Sequence, residues 1–403
     1  MMPTSRSVHL IACGASATLI GIGLGRFAYA ALLPEIVEAG WFTDTQAAYL
    51  GAANLLGYFL GAVTASHAAT RLGPSMVVRL SVSAVLLSFA LCAVPTPFAW
   101  FLAWRLLAGV GGAVLMVVAP SAVLAGLVPE DRKTGASFVF AGIGLGVLMS
   151  ATLVPALATL DLTASWLALA AGIAVLSVWN WPLWRRLDPG ADSKPSGDGS
   201  ADRPAAMPRG VIAAVTTAYA LDAIGFVPHT VFWVDLLARQ AGHGIAAANV
   251  VWALFGVGAV AGPFLAGYAA RVLGWHGALT AGLLLKTLAV ALPLVSVSLP
   301  AAVVSSVLVG ALVPGVVALT SGRLAELVGP ERHRHTWGFA TAVFAAAQAV
   351  AAYAMAALYA ASGSYLPLFA VGSGALLVGS VILALAPTLL STDKTATHAG
   401  HDT

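Results

Sequence analysis

Charge is the scarcest commodity in this chain. Asp, Glu, Lys and Arg make up 9% of its 403 residues, against roughly 25% in an ordinary soluble protein, and that excludes a water-soluble enzyme. Cysteine is almost missing. Cys13 and Cys92 both sit in apolar segments, which excludes a disulfide framework and any metal-ligand spacing. No Gly-Lys dipeptide occurs, so there is no phosphate-binding Walker A loop and no sign of direct ATP drive. No nucleophile, base and orienting group share a plausible site. The net charge is only +3, with the basic residues sorted along the chain rather than clustered, so nucleic acid is not an expected partner. Neither a cofactor nor a metal is implied.

What is present is apolar length. Hydrophobic residues reach 60%, and a bilayer span takes about 20 of them. Apolar runs of that length lie at about 8–33, 46–69, 77–95, 98–128, 136–159 and 164–185, then at 210–237, 246–270, 277–298, 299–327, 337–361 and 364–387. The expectation is an all-α integral membrane protein with twelve transmembrane helices in two pseudo-symmetric six-helix bundles. The halves are 1–185 and 209–390, joined by a polar Pro/Gly/Ser/Asp-rich linker at 186–208 and followed by a tail at 391–403. His398 and His401 in that tail are expected to be solvated. The first run imitates a signal peptide, but Arg26 interrupts the apolar region such peptides need, so it is kept as a span.

Lysine and arginine set the orientation. With both termini in the cytoplasm, fifteen of the 19 basic residues fall in cytoplasmic segments and only Arg239 in an outer loop, the bias expected of a multi-pass inner-membrane protein. The tryptophans near run ends, Trp41, Trp100, Trp166, Trp233, Trp179, Trp181, Trp184, Trp275 and Trp337, are expected to anchor at the interfaces. His333-Arg334-His335 reads as a solvated basic loop rather than a metal pair.

One offset places the second half on the first. Gly57 and Gly258, Gly61 and Gly262, Gly73 and Gly274, Gly109 and Gly310, and the Pro129-Glu130 and Pro330-Glu331 pairs are each 201 residues apart. Parallel six-helix repeats of this kind characterise transporters that bind substrate near mid-membrane, between the halves. The stretch Trp104-Arg105-Leu-Leu-Ala-Gly109-Val-Gly111-Gly112 resembles the fourth-helix motif of the major facilitator superfamily. The loop Ser66 to Pro74 resembles that superfamily's Gly-x-x-x-Asp-Arg-x-Gly-Arg motif only in Arg71 and Gly73, with Thr70 where the aspartate would stand, so the usual charged inner gate is not expected. Gly23-Leu-Gly25-Arg26-Phe27-Ala28-Tyr29 followed by Leu32-Leu33-Pro34, with Gly57-Tyr58-x-x-Gly61, is similar to the YbfB/YjiJ-like branch. The resemblance implies a secondary transporter working by alternating access and names no substrate.

Ionisable groups at membrane depth are costly and mark functional sites by default. Arg26 in the first span is read as a bidentate anchor for an anionic substrate, or as a partner of Asp222 in the empty site. The two differ in depth by five residues, about 7.5 Å of helix. Asp222 is the candidate proton carrier, and His229, on the same helix face, a candidate relay. Arg105 joins the binding set through the family motif, with Tyr29, Asn54, Tyr58 and Gln348 as hydrogen-bonding cavity residues and Tyr353 as a weaker one. Lys286, in a helix that is usually peripheral, is expected to snorkel or touch a neighbour. The glycine stripes are read as close helix packing. The expected function is proton-coupled movement of a small organic anion or zwitterion, by a monomer whose partners are its substrate, protons and lipid. The alternative is a drug or toxic-metabolite/proton efflux antiporter, recognising lipophilic cations through Asp222 and aromatics.

Overall fold

The computed structural model describes residues 5–158, 161–188 and 209–399, and every regular element among them is helical. Residues 189–208, which make up most of the expected linker, lie outside the described residues, as does His401. The first helix, α1, runs as Ser5–Thr18, a π-helical stretch Leu19–Ala28, and Tyr29–Glu38. It is followed by α2 (Asp44–Leu72), α3 (Pro74–Leu91), α4 (Phe98–Gly126), α5 (Pro129–Ala158) and α6 (Leu162–Asn180). After the linker, α7 begins at Arg209–Gly225 and continues through π-helical turns at Pro228–Phe232 and Leu236–Gln240. Two longer helical runs are each broken by one glycine. Gly274 (φ 71°) separates α8 (244–273) from α9 (275–295), and Gly329 (φ 74°) separates α10 (299–328) from α11 (330–362). The last helix, α12, spans Leu366–Ala399. It continues to Ala399, beyond the 387 expected from hydropathy, so the polar tail begins as helix.

Local chemistry explains these limits. Thr43 and Gln46 close a capping box at the start of α2, Gln46 N–H donating to Thr43 Oγ1 (3.3 Å) and Thr43 N–H to Gln46 Oε1 (3.1 Å). Proline opens α3 and lies in the first turn of α10, where its missing N–H costs nothing. Ten stretches among the described residues are long and apolar enough to cross a membrane, one of them the 246–295 run that Gly274 divides. The protein is an all-α, multi-pass membrane protein.

The repeat is visible in the contacts. Gly57 and Gly61 of α2 press against the backbone of Leu106 and Val110 in α4, and Gly109 of α4 presses against the Asn54 carbonyl. In the second half Gly258 and Gly262 of α8 press against Val307 and Ala311 of α10, and Gly310 against Phe255. Every one of these partners also lies 201 residues from its counterpart. Small residues let helix backbones approach in a bilayer, where packing and not hydrophobicity drives association.

Two seams join the halves. Along α5 and α8, Gly144 abuts the Ala259 backbone and Gly256 that of Leu148 (2.9 Å from an added Cβ), and Phe138 meets Phe264 edge-on at 4.9 Å. At the arginine-rich end of the other seam, Arg334 Nη2 donates to Thr70 Oγ1 (2.9 Å), Ser66 Oγ to the Arg334 carbonyl (3.1 Å) and Trp337 Nε1 to the Met116 carbonyl (3.2 Å). Thr70, standing in the aspartate position of the resembled loop, is thus a neutral acceptor in a contact that closes this end.

Two expectations are corrected here. Trp166, Trp184, Trp233 and Trp337 are fully buried rather than interfacial, because each packs against other rings, whereas Trp100, Trp179 and Trp181 are exposed. The His333-Arg334-His335 segment is not a solvated loop. It begins α11, with His333 buried at 3.1 Å from Ser321 Oγ and Arg334 in the seam, and only His335 outside. Of the two placements expected for Lys286, the structure has the contact with a neighbouring helix, the side chain being wholly buried.

Candidate functional site

Arg26 lies in the π-helical stretch of α1, where the widened turn displaces its side chain from the ordinary helical ridge. It is half-buried, and among the described residues it has neither a carboxylate partner nor a hydrogen bond. Its guanidinium carbon sits 5.5 Å from the Phe27 ring centre and 5.9 Å from that of Tyr58 on α2. Tyr58 and Tyr219 are its electrostatic neighbours, the second from α7 in the opposite half.

In the second half, Tyr219 belongs to a wall of rings. Tyr219 and Phe226 of α7, seven residues apart and so on one face, stack on Phe344 of α11 at 4.4 and 5.8 Å, and Tyr219 meets Trp337 at 5.6 Å. Gln348, one turn after Phe344 on α11, is buried, and its Oε1 has no hydrogen-bond partner. Sequence reasoning missed Tyr219, Phe344 and Trp337. The spacing of Tyr219, three residues before Asp222, was the available signal.

Asp222 does not meet Arg26. Lys286 Nζ of α9 donates to Asp222 Oδ1 at 2.6 Å, with both side chains buried, and the ammonium also lies 4.8 Å from the Phe226 ring centre. Asp222 Oδ2 has no partner among the described residues. Further along α7, Ser305 Oγ donates to the Ala289 carbonyl (2.8 Å), so its contact with His229 Nε2 (2.7 Å) requires the imidazole to be the donor. His229 Nδ1 then remains a buried acceptor with no partner. Trp233 and Phe369 clasp the imidazole at 4.7 and 5.1 Å.

The remaining expected site residues separate from this cluster. Arg105 is completely buried inside the first half. Its Nη2 donates to the Gly25 carbonyl (3.0 Å) in the π-helical stretch, and its guanidinium carbon lies 4.4 Å from the centre of Tyr29 and 5.9 Å from that of Phe89. Tyr29 in turn donates its hydroxyl to the Ala47 carbonyl (3.0 Å), and Asn54 Nδ2 to the Arg105 carbonyl (3.1 Å). These three brace α1 against α2 and α4. Tyr353 is exposed on an apolar groove of about 410 Å³ between α2, α4 and α11. A larger groove of about 920 Å³ adjoins it along α11. Both belong to the outer flank of the bundle. Among the described residues no group of three or more His, Cys, Asp or Glu is placed to hold a metal.

The arrangement is a partly accessible cation with no carboxylate partner among the described residues, with Tyr219 of the ring wall as an electrostatic neighbour, and a separate buried ion pair on α7 and α9. It suits reversible binding of a small molecule better than chemical conversion. The human organic anion transporter MFSD10 (TETRAN) has a similar fold, with a TM-score of 0.69 at 20% identity, over 95% of this chain and 100% of that one. No curated protein matches the sequence. A family model described as "Uncharacterised MFS-type transporter YbfB" matches residues 18–384. The chain therefore belongs to that family of major facilitator superfamily transporters, and it is a secondary-active carrier of small molecules across a membrane, not an enzyme.

Proposed function

We propose that this transporter moves a small organic anion or zwitterion across the inner membrane, coupled to protons, by rocking two six-helix halves (1–185 and 209–390) around Arg26. In this reading twelve helices span the bilayer, both termini and the linker 186–208 are cytoplasmic, and the protein works as a monomer. The observation that carries it is the Arg26 guanidinium, buried in part and without an anionic partner among the described residues, because an uncompensated charge at membrane depth calls for a ligand to neutralise it. The alternative, a cation-extruding antiporter, needs a free acidic group for its cargo, and Asp222 is already held by Lys286.

Asp222 is the proton site in this reading. Protonation breaks its pair with Lys286, and the released ammonium changes the charge balance beside the substrate. The test is uptake into vesicles containing purified protein. Arg26→Ala is expected to weaken anion uptake about 10- to 100-fold, the worth of a charge-assisted bidentate contact of about 1.5–3 kcal/mol. Asp222→Asn, and Asp222→Asn/Lys286→Gln with balanced charges, are expected to lose accumulation driven by a proton gradient while keeping substrate exchange. Wild-type uptake in Arg26→Ala overturns the anion site, and loss of exchange in both Asp222 variants overturns the coupling role.

A further inference from the structure

Resting on that anion reading, we infer that the substrate is an aromatic monocarboxylate bearing a hydroxyl or amino donor. Three features of the site point to different parts of one such molecule. Arg26 supplies a cation with no carboxylate partner among the described residues, with Tyr58 and Tyr219 as its electrostatic neighbours from opposite halves. Neither hydroxyl makes a hydrogen bond to any described residue, so both can donate to a carboxylate held at the guanidinium.

The second feature is the ring wall. Phe226, Phe344, Tyr219 and Trp337 form one continuous file, with neighbouring centres 5.8, 4.4 and 5.6 Å apart. Offset and edge-on ring contacts add to the gain from apolar burial, so a flat conjugated body gains on this wall what an aliphatic chain of equal charge does not. Trp337 ends the file at the seam, its Nε1 tied to Met116 of the first half. The wall is therefore part of the surface on which the halves meet, not only the interior of the second half.

The third feature is Gln348 Oε1, an acceptor that is buried and empty, one turn from Phe344 on the same helix face. A buried acceptor without a donor is costly, and a hydroxyl or amino group on the ring of the ligand would satisfy it. A site built to bond such a group also rejects analogues that lack it.

The test compares thermal stabilisation of the purified full-length protein by benzoate, 4-hydroxybenzoate and the aliphatic probes butyrate and hexanoate. The expected order is 4-hydroxybenzoate tightest, benzoate weaker, and the aliphatic acids at least 10-fold weaker than benzoate. Phe344→Leu should erase the preference for aromatic over aliphatic acids, and Gln348→Leu the preference for the hydroxylated ring. If Phe344→Leu does not fold, Tyr219→Phe, which keeps the ring and removes one donor, should weaken all the carboxylates together. Aliphatic acids binding as tightly as aromatic ones would overturn this inference and leave the anion reading standing. Stabilisation by none of the four acids overturns both this inference and the assignment of Arg26 as a carboxylate anchor. A preference kept in Gln348→Leu would remove the donor requirement and so overturn the substrate class as stated.

Discussion

Lys286→Met is expected to destabilise the folded protein by about 3–5 kcal/mol, because it leaves the Asp222 carboxylate buried without its counter-charge. Both side chains are almost wholly enclosed, and the 2.6 Å contact is the only hydrogen bond Asp222 makes through its side chain among the described residues. Asp222→Asn in the wild-type background leaves the opposite charge stranded and should cost a similar amount. Asp222→Asn/Lys286→Met removes both charges and should recover most of the loss, since replacing a buried ion pair as a whole is often neutral. The measurement is a double-mutant cycle on unfolding in detergent. Strong positive coupling between the two sites is the expected result, and simple additivity of the single costs would show that the pair is not a unit.

Gly109→Leu should be as damaging for a different reason. Where Gly109 of α4 crosses α2, an added Cβ would overlap the carbonyl of Asn54, a backbone atom that cannot swing aside. The same holds for Gly310 against Phe255 in the other half. Overpacking usually costs about 1–3 kcal/mol, and a clash with the backbone of a central helix pair belongs at or beyond the top of that range. Both variants should therefore yield little folded monodisperse protein. Gly172 of α6 and Gly374 of α12 meet nothing within 4 Å of an added Cβ. Alanine there should be neutral or stabilise by up to about 1 kcal/mol through helix propensity. Size-exclusion profiles of the four variants check this. Well-folded Gly109→Leu and Gly310→Leu would mean that the α2–α4 and α8–α10 crossings are looser than drawn.

Much of this architecture was legible in the sequence because hydropathy reports depth and the repeat reports symmetry. Gly73 and Gly274, paired by the repeat offset, both take positive φ at helix breaks, 82° and 71°. The glycine stripes, read as close packing, do mark the α2–α4 and α8–α10 crossings. Hydropathy says nothing about which way a side chain faces around its helix, and the errors concentrate there. For Lys286 the sequence left snorkelling and a helix contact both open, and the choice is made by Asp222 on another helix, which draws the ammonium inward. Tyr29 lies three residues after Arg26, and Arg105 entered the expected site through its motif, yet both turn into the first half to brace the π-helical stretch at Gly25. That stretch itself leaves no mark in composition beyond its glycines. The tryptophans misled for a related reason. An aromatic near the end of an apolar run can be an interfacial anchor or a buried core residue, and only the packing of neighbouring helices decides between the two.

The seam at Trp337 gives the binding site a route to the rest of the molecule. Its indole touches Tyr219 of the ring wall, Phe140 of α5 and the Met116 carbonyl of α4. A ligand that shifts Tyr219 therefore acts directly on a contact holding the halves together at the arginine-rich end. The neutral acceptor Thr70 replaces a charge pair in the same contact, which leaves a closure built from hydrogen bonds and ring packing.

The central claim is that Arg26 holds an anion between the halves, and the most direct measurement is a thermal-stability screen of wild type and Arg26→Ala against small organic anions, amino acids and lipophilic cations. A ligand that binds only the folded state at 100 times its Kd stabilises by about 2.7 kcal/mol. The account predicts that at least one anion raises the melting temperature of wild type and leaves Arg26→Ala unmoved. Lipophilic cations that stabilise both proteins equally, with no effect of any anion, would contradict it and make Arg26 a structural residue of a cation exporter.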